Sequence, residues 1–116
     1  MTRQSGYEQM NILLSGRNRP TAVIAGNDMM ALGVMDAIQE RGLTVGTDIS
    51  VTGFDDVPVA AFTSPPLTTL RQPIYEIGRT CCRMLVDILA GRRPEPYQAL
   101  LTPEIVIRES TGPFKR

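Results

Sequence analysis

Three short polar clusters stand where apolar runs of this 116-residue chain stop: Asn27-Asp28, Asp55-Asp56 and Arg71-Gln72. An ionised carboxylate only accepts hydrogen bonds, whereas an asparagine or glutamine amide both accepts and donates. Together such groups suit a ligand rich in hydroxyl or amino groups, such as a sugar or a nucleoside base. The stretch from Ile49 to Asp56 carries the argument furthest, because it reads as a buried strand that ends abruptly in two carboxylates. Ligands of open α/β sheets bind outside the carboxyl ends of the strands. Asp55 and Asp56 are therefore expected at the mouth of a site. A competing chemistry would place Mg²⁺ or a phosphoryl group there, as in a receiver-like phosphotransfer module. The only lysine, Lys115, lies in the tail, so no lysine stands at a strand end to hold a phosphoryl group. A plainer use for Asn27 or Asp28 is to cap the helix that follows.

Other chemistry is excluded by composition. Histidine is absent, which removes histidine acid–base catalysis, Ser-His and Cys-His nucleophile activation and the commonest zinc ligand. No GxGxxG, GxxxxGK[ST] or GxSxG pattern occurs, so phosphate-cradling loops and hydrolase elbows lack support. The two cysteines, Cys81 and Cys82, are adjacent. That spacing suits neither an ordinary disulfide nor a metal site, and they are expected as buried small hydrophobes. The expectation is a binding protein, not an enzyme, with no metal and no cofactor. Twelve basic residues balance twelve acidic ones, leaving no net field to draw the chain to nucleic acid or an anionic membrane. With no apolar run long enough to span a bilayer and a polar start, a cytoplasmic location is expected.

The elements that must position these clusters follow from periodicity. Residues 2 to 15 read as a helix capped by Thr2 and stopped by Gly16, with Tyr7, Met10, Leu13 and Leu14 at helical spacing. Thr21 to Ala25 is an apolar run suited to a strand covered on both faces. A helix from about Met29 to Arg41 turns Met30, Val34, Ala37 and Ile38 toward the sheet. Met29 and Leu32 fall on its polar face, either as tolerated exposed side chains or as part of a partner surface. Strand, helix and the Ile49 strand make a βαβ unit. A turn at Val57 to Phe62 and a third strand, Leu67 to Leu70, come next. Pro73 then opens the best-patterned helix in the chain, with Ile74, Ile77, Gly78, Cys81, Leu85 and Ile88 on one face and Gly91 as its stop. Arg92-Arg93-Pro94-Glu95-Pro96 reads as a charged loop, Gln98 to Ser110 as two short strands broken at Pro103, and Thr111 to Arg116 as a frayed tail.

Three blocks, Arg19 to Gly33, Asp48 to Asp56 and Pro65 to Pro73, occur in an order and spacing that resembles the C-terminal part of a LacI/GalR-family transcriptional regulator, a likeness running from about residue 5 to residue 112. The resemblance implies a parallel-sheet α/β fold of the periplasmic-binding-protein type (type I), truncated and covering mainly the C-terminal lobe. It implies a sugar or purine-like effector bound between two lobes, and a dimer whose helix-turn-helix heads read operator DNA. Asn27 matches the family's effector-contacting asparagine and Asp55 its effector-contacting aspartate, with Gln72 and Thr69 beside the crossover as further candidates. Asp56 serves either the turn or the ligand. Leu32, Met35 and the neighbourhood of Phe62 match positions that face the other subunit, which joins Met29 to a dimer surface.

The same resemblance divides the chain into a C-terminal lobe (residues 1–72), a helix that would pack on an N-terminal lobe (73–97), and strands and tail (98–116). No helix-turn-helix is recognisable, so DNA would be reached only through another domain. The Ile74 to Leu89 helix has no cover. Burying one large apolar side chain is worth roughly 1.5–3 kcal/mol, so leaving five or six exposed would cost on the order of 10 kcal/mol. Self-association, as a homodimer or a swapped pair, is therefore expected. A periplasmic sugar-binding protein, which shares the fold, is the alternative, and the Pro65 to Pro73 block favours the regulator.

Overall fold

Helix α1 (Arg3–Ser15) starts at Thr2, whose side chain accepts from the Ser5 amide while the Ser5 hydroxyl accepts from the Thr2 amide, a reciprocal capping box. Helix α2 (Asp28–Glu40) is capped by Asn27, whose side chain accepts from the Met30 amide at 2.9 Å. The two helices cross where Gly33 of α2 meets the α1 backbone at Arg3 and Gly6 of α1 meets Met30; a Cβ at either glycine would collide with backbone atoms. Such a crossing admits only glycine.

The computed structural model describes residues 1–93 and 97–113. Its chain divides into two units, Met1–Arg71 with Ile105–Arg116, and Gln72–Glu104. In the first, strands β1 (Ala22–Ile24) and β2 (Ser50–Thr52) pair in parallel, Val23 opposite Val51, with α2 as the crossover between them. Strand β3 (Thr69–Arg71) continues the parallel arrangement through bridges Thr52 to Thr68 and Asp55 to Arg71. Strand β4 (Glu104–Val106) forms a second two-stranded sheet with β3. The core gathers Met10, Val34, Met35, Ile38, Ile49, Val51 and Leu67 under α1 and α2.

Several expectations are corrected. β1 is covered on one face only, because Ala22 and Ile24 are exposed. Gln98 to Ser110 contains one strand, β4, instead of two. The tail is tied down as far as Gly112. Ser110 is fully buried, the Val51 amide donates to its carbonyl at 2.8 Å, and the Gly112 amide donates to the Ser50 hydroxyl at 3.2 Å.

The second unit is dominated by helix α3 (Ile74–Leu89), which has no buried residue. Its apolar face contributes, with Ala99, Leu100 and Leu101, to a shallow depression of about 250 Å³ lined by Ile77, Thr80, Cys81 and Met84. Cys81 and Cys82 are both exposed free thiols, against the expectation of burial, on a helix none of whose residues is buried among the described residues. Arg92 pairs with Asp87 at 2.7 Å, and Arg93 stacks 5.7 Å from the centre of the Tyr97 ring. The expected loop at residues 94–96 and the last tail residues, 114–116, lie outside the described residues.

Candidate functional site

The parallel strands bring two of the three polar clusters and Arg71 of the third to the same sheet edge. The Asp28 amide donates to the Phe54 carbonyl at 2.9 Å, joining the start of α2 to the end of β2, and the Asp55 amide donates to the Leu70 carbonyl at 2.9 Å, joining β2 to β3. Directly after these ties the backbone turns through two successive left-handed residues, Asp55 at φ 121° and Asp56 at φ 56°. Neither is glycine, and such conformations persist only where the surroundings over-determine them.

Each carboxylate at this edge has a different environment. Asp28 is fully buried; its Oδ2 accepts from the Val57 amide at 2.8 Å and its Oδ1 from the Thr69 hydroxyl at 2.5 Å. Gly53 leaves the space that Asp28 fills, since a Cβ there would strike its Oδ1. Asp28 is thus a staple joining α2, the turn and β3. Asp56 is only 8% exposed, and accepts from Arg71 Nε and Arg108 Nη2, each at 2.7 Å. Burial alone would push its carboxyl up, but the hydrogen bonds and charges of Arg108 and Arg71 outweigh that and hold it below the usual aspartate range. Asp55 is half-buried.

The proposed contact residues are therefore placed unequally. Asn27 spends its Oδ1 on the α2 cap; its Nδ2 has no hydrogen bond recorded among the described residues. Gln72 is half-buried directly after β3 and opens the second unit. Thr69 is fully buried and its hydroxyl is bound to Asp28. Of the supposed dimer residues, Leu32 and Met35 are 7% and 3% exposed, while Met29 and Phe62 are 41% and 86% exposed. Residues Ala31 to Met35 are consecutive and all buried. At 3.6 residues per turn they encircle the helix, so this part of α2 is covered all round within the chain.

The reading of the residues missed Arg108 and Ser110. Arg108 is 17% exposed, donates to the Leu67 carbonyl at 2.8 Å and reaches Asp56 across a sequence separation of 52. The one local signal was a cation closing the apolar run Ile105-Val106-Ile107. An open groove of about 710 Å³ is lined by Arg3, Gln4, Tyr7, Asp36, Gln39 and Glu40. Its nearest residue on α2, Asp36, lies about 12 Å along the helix from Asp28, and its polar groups pair with one another, Arg3 with Asp36 and Tyr7 with Glu40. Among the described residues no group of three or more acidic or cysteine side chains could hold a metal ion, and no helix is long and apolar enough to cross a membrane.

Parallel strands ending in polar clusters around the start of a crossover helix define an α/β lobe, and the chain belongs to the periplasmic binding protein-like domain family, which matches residues 1–111. Its relatives in that family are LacI-type regulators. The chain is 43% identical over 114 residues to the HTH-type transcriptional repressor PurR of Yersinia enterocolitica, covering 97% of this chain and 33% of that protein. The lac repressor dimer bound to operator and the anti-inducer ONPF superposes with a TM-score of 0.85 at 37% identity, over 97% of this chain and 39% of that one. A LacI-family transcriptional regulator from Enterococcus faecium with bound ribose superposes at 0.78 and 31% identity, over 99% of this chain and 42% of that one. The chain therefore spans about a third of the length of the curated relatives it matches.

Proposed function

We propose that this chain is the effector-sensing and self-associating part of a LacI-type transcriptional regulator, acting by binding and not by catalysis. Asp55 and the free amide donor of Asn27 contact a small polar effector, a sugar or a purine-like base, and Gln72 adds a further polar group. In this reading residues 1–72 with the C-terminal segment belong to the C-terminal lobe, and α3 belongs to the neighbouring lobe. The observation that carries it is the Asp55 turn: a non-glycine residue held at φ 121° at a parallel strand end, beside the capped start of α2. Strain of that kind clusters at ligand clamps. The bound ribose of the Enterococcus faecium regulator supports a hydroxyl-rich ligand. Operator DNA is reached through a helix-turn-helix domain outside these 116 residues, since the chain carries no net charge to attract a polyanion. The site of action is the cytoplasm, where the operator is.

A second copy of the chain is the partner. Met29 and Phe62 are the exposed apolar members of the proposed dimer surface, and the lac repressor match is to a dimer. The effector reading is tested by titrating the full-length protein with ribose, glucose, adenine and guanine. Asp55→Ala should weaken the bound member by about a hundredfold, the scale for leaving a ligand's polar groups unpaired. Unchanged affinity in that variant sinks the reading.

A further inference from the structure

The geometry points to Asp56 as a positioning residue of the effector site, acting through Arg108 of the C-terminal segment; this rests on the reading that Asp55 contacts effector. Asp56 itself is unsuited to touch a ligand. One of its oxygens accepts from Arg108 and the other from Arg71, and little of it meets solvent. Its covalent neighbour is the residue whose backbone is held at φ 121°.

Two consecutive left-handed non-glycine residues are unfavourable, so something must hold them. The Asp55 amide is fixed to Leu70 on one side, and the Val57 amide is fixed to Asp28 on the other. Between those ties the Asp56 carboxylate adds an anchor of its own, which constrains the backbone that carries Asp55. Arg108 can act as that anchor because it is itself immobile. Its guanidinium donates to the Leu67 carbonyl at 2.8 Å, its amide donates to the Thr68 hydroxyl at 2.9 Å, and two residues on, the Ser110 hydroxyl accepts from the Thr68 amide and donates to the Val51 carbonyl. The C-terminal segment is thereby bolted across β2 and β3, and it delivers a fixed positive charge to the carboxylate next to Asp55. Low local dielectric strengthens such a network and also makes it intolerant of losing one member.

The test uses the full-length protein and the same four probes, with affinity by calorimetric titration and fold by thermal unfolding. Asp56→Asn, close to isosteric, should weaken the bound probe about tenfold, and Arg108→Met should do the same, the scale on which members of one ion-pair network couple. The double variant should be no weaker than the worse single variant. Arg108→Lys, which keeps the charge but not the fork that reaches Leu67 and Asp56 together, should recover part of the lost affinity. Asp56→Asn or Arg108→Met binding within twofold of wild type, with only the melting temperature lowered, overturns the inference. If Asp56→Asn gives no cooperative unfolding, the Arg108→Met and Arg108→Lys pair decides, and equal weakening by both overturns it. A wild type that binds none of the probes overturns the effector reading and this inference with it. Loss of binding in Asp55→Ala beside normal binding in Asp56→Asn removes the inference alone.

Discussion

Helices α2 and α3 are built from similar material and end in opposite states. α2 buries Ala31, Leu32, Gly33, Val34, Met35, Ala37 and Ile38 around the βαβ unit. α3 carries the cleaner apolar stripe, yet Ile74, Leu85, Val86, Ile88 and Leu89 all remain exposed. Their starts differ in the same sense, since Asn27 caps α2 with a side-chain hydrogen bond whereas α3 starts after Pro73 with none. Helical periodicity reports that a helix has an apolar partner; it does not report that the partner lies in the same chain. Most helical stability comes from tertiary packing of the apolar face, so α2 is a fixed part of the first unit and α3 a face awaiting cover.

The sharpest way to break this comparison is to truncate a covered side chain. Ile38 is fully buried in the core, and Ile38→Ala should cost about 3–4 kcal/mol by transfer and cavity terms. Urea unfolding of the chain measures it, and a loss below 1 kcal/mol would mean that α2 is not held as described.

Breaking the Asp56 anchor comes next, at about 3 kcal/mol near neutral pH for a mostly buried pair that leaves Arg108 uncompensated. The sign with pH follows from the depressed carboxyl. The folded form holds its proton less tightly than the ordinary value of 3.8, so the stabilisation is full above that value and is lost as pH falls through the lower folded one. The stability gap between wild type and Asp56→Asn should therefore be constant from pH 7 to about 5 and close below about 3.8. A gap that widens on acidification contradicts the pairing. Smaller again is Ser110→Ala, which leaves the buried Thr68 amide without its acceptor. About 1–2 kcal/mol is expected by the same urea measurement.

What the sequence made legible follows a physical line. The caps at Thr2 and Asn27, the crossover between β1 and β2, and the arrival of Asp28, Asp55 and Arg71 at one edge are local chemistry plus the parallel rule for strand ends. The failures are non-local. Thr69 was a ligand candidate only through the resemblance, and its hydroxyl turns inward to a buried carboxylate 41 positions away. A helical wheel assumes one covered face, and it misplaced Leu32 on a helix segment covered all round. Ser110 was only the end of an expected strand, and its neighbours in sequence do not foretell that its hydroxyl joins Val51 to Thr68. Nothing in a stretch of residues announces a partner fifty positions away, which is why the anchor at Asp56 was open between turn and ligand.

The smallest effect on folding sharpens the comparison most. Leu85 lies on the exposed face of α3, so Leu85→Ala should change the unfolding free energy of the monomeric chain, read by urea, by less than about 0.5 kcal/mol, as an exposed substitution does. The same variant should weaken self-association if a second copy covers that face, because truncating an apolar anchor in an interface typically costs more than about 1 kcal/mol. Sedimentation at several concentrations separates the two effects. The wild type should associate, and Leu85→Ala should shift the association midpoint to higher concentration by about tenfold. A wild-type chain that sediments as a monomer at all concentrations while unfolding cooperatively would show that α3 tolerates its exposure, and would leave periodicity without even the weaker meaning given to it here.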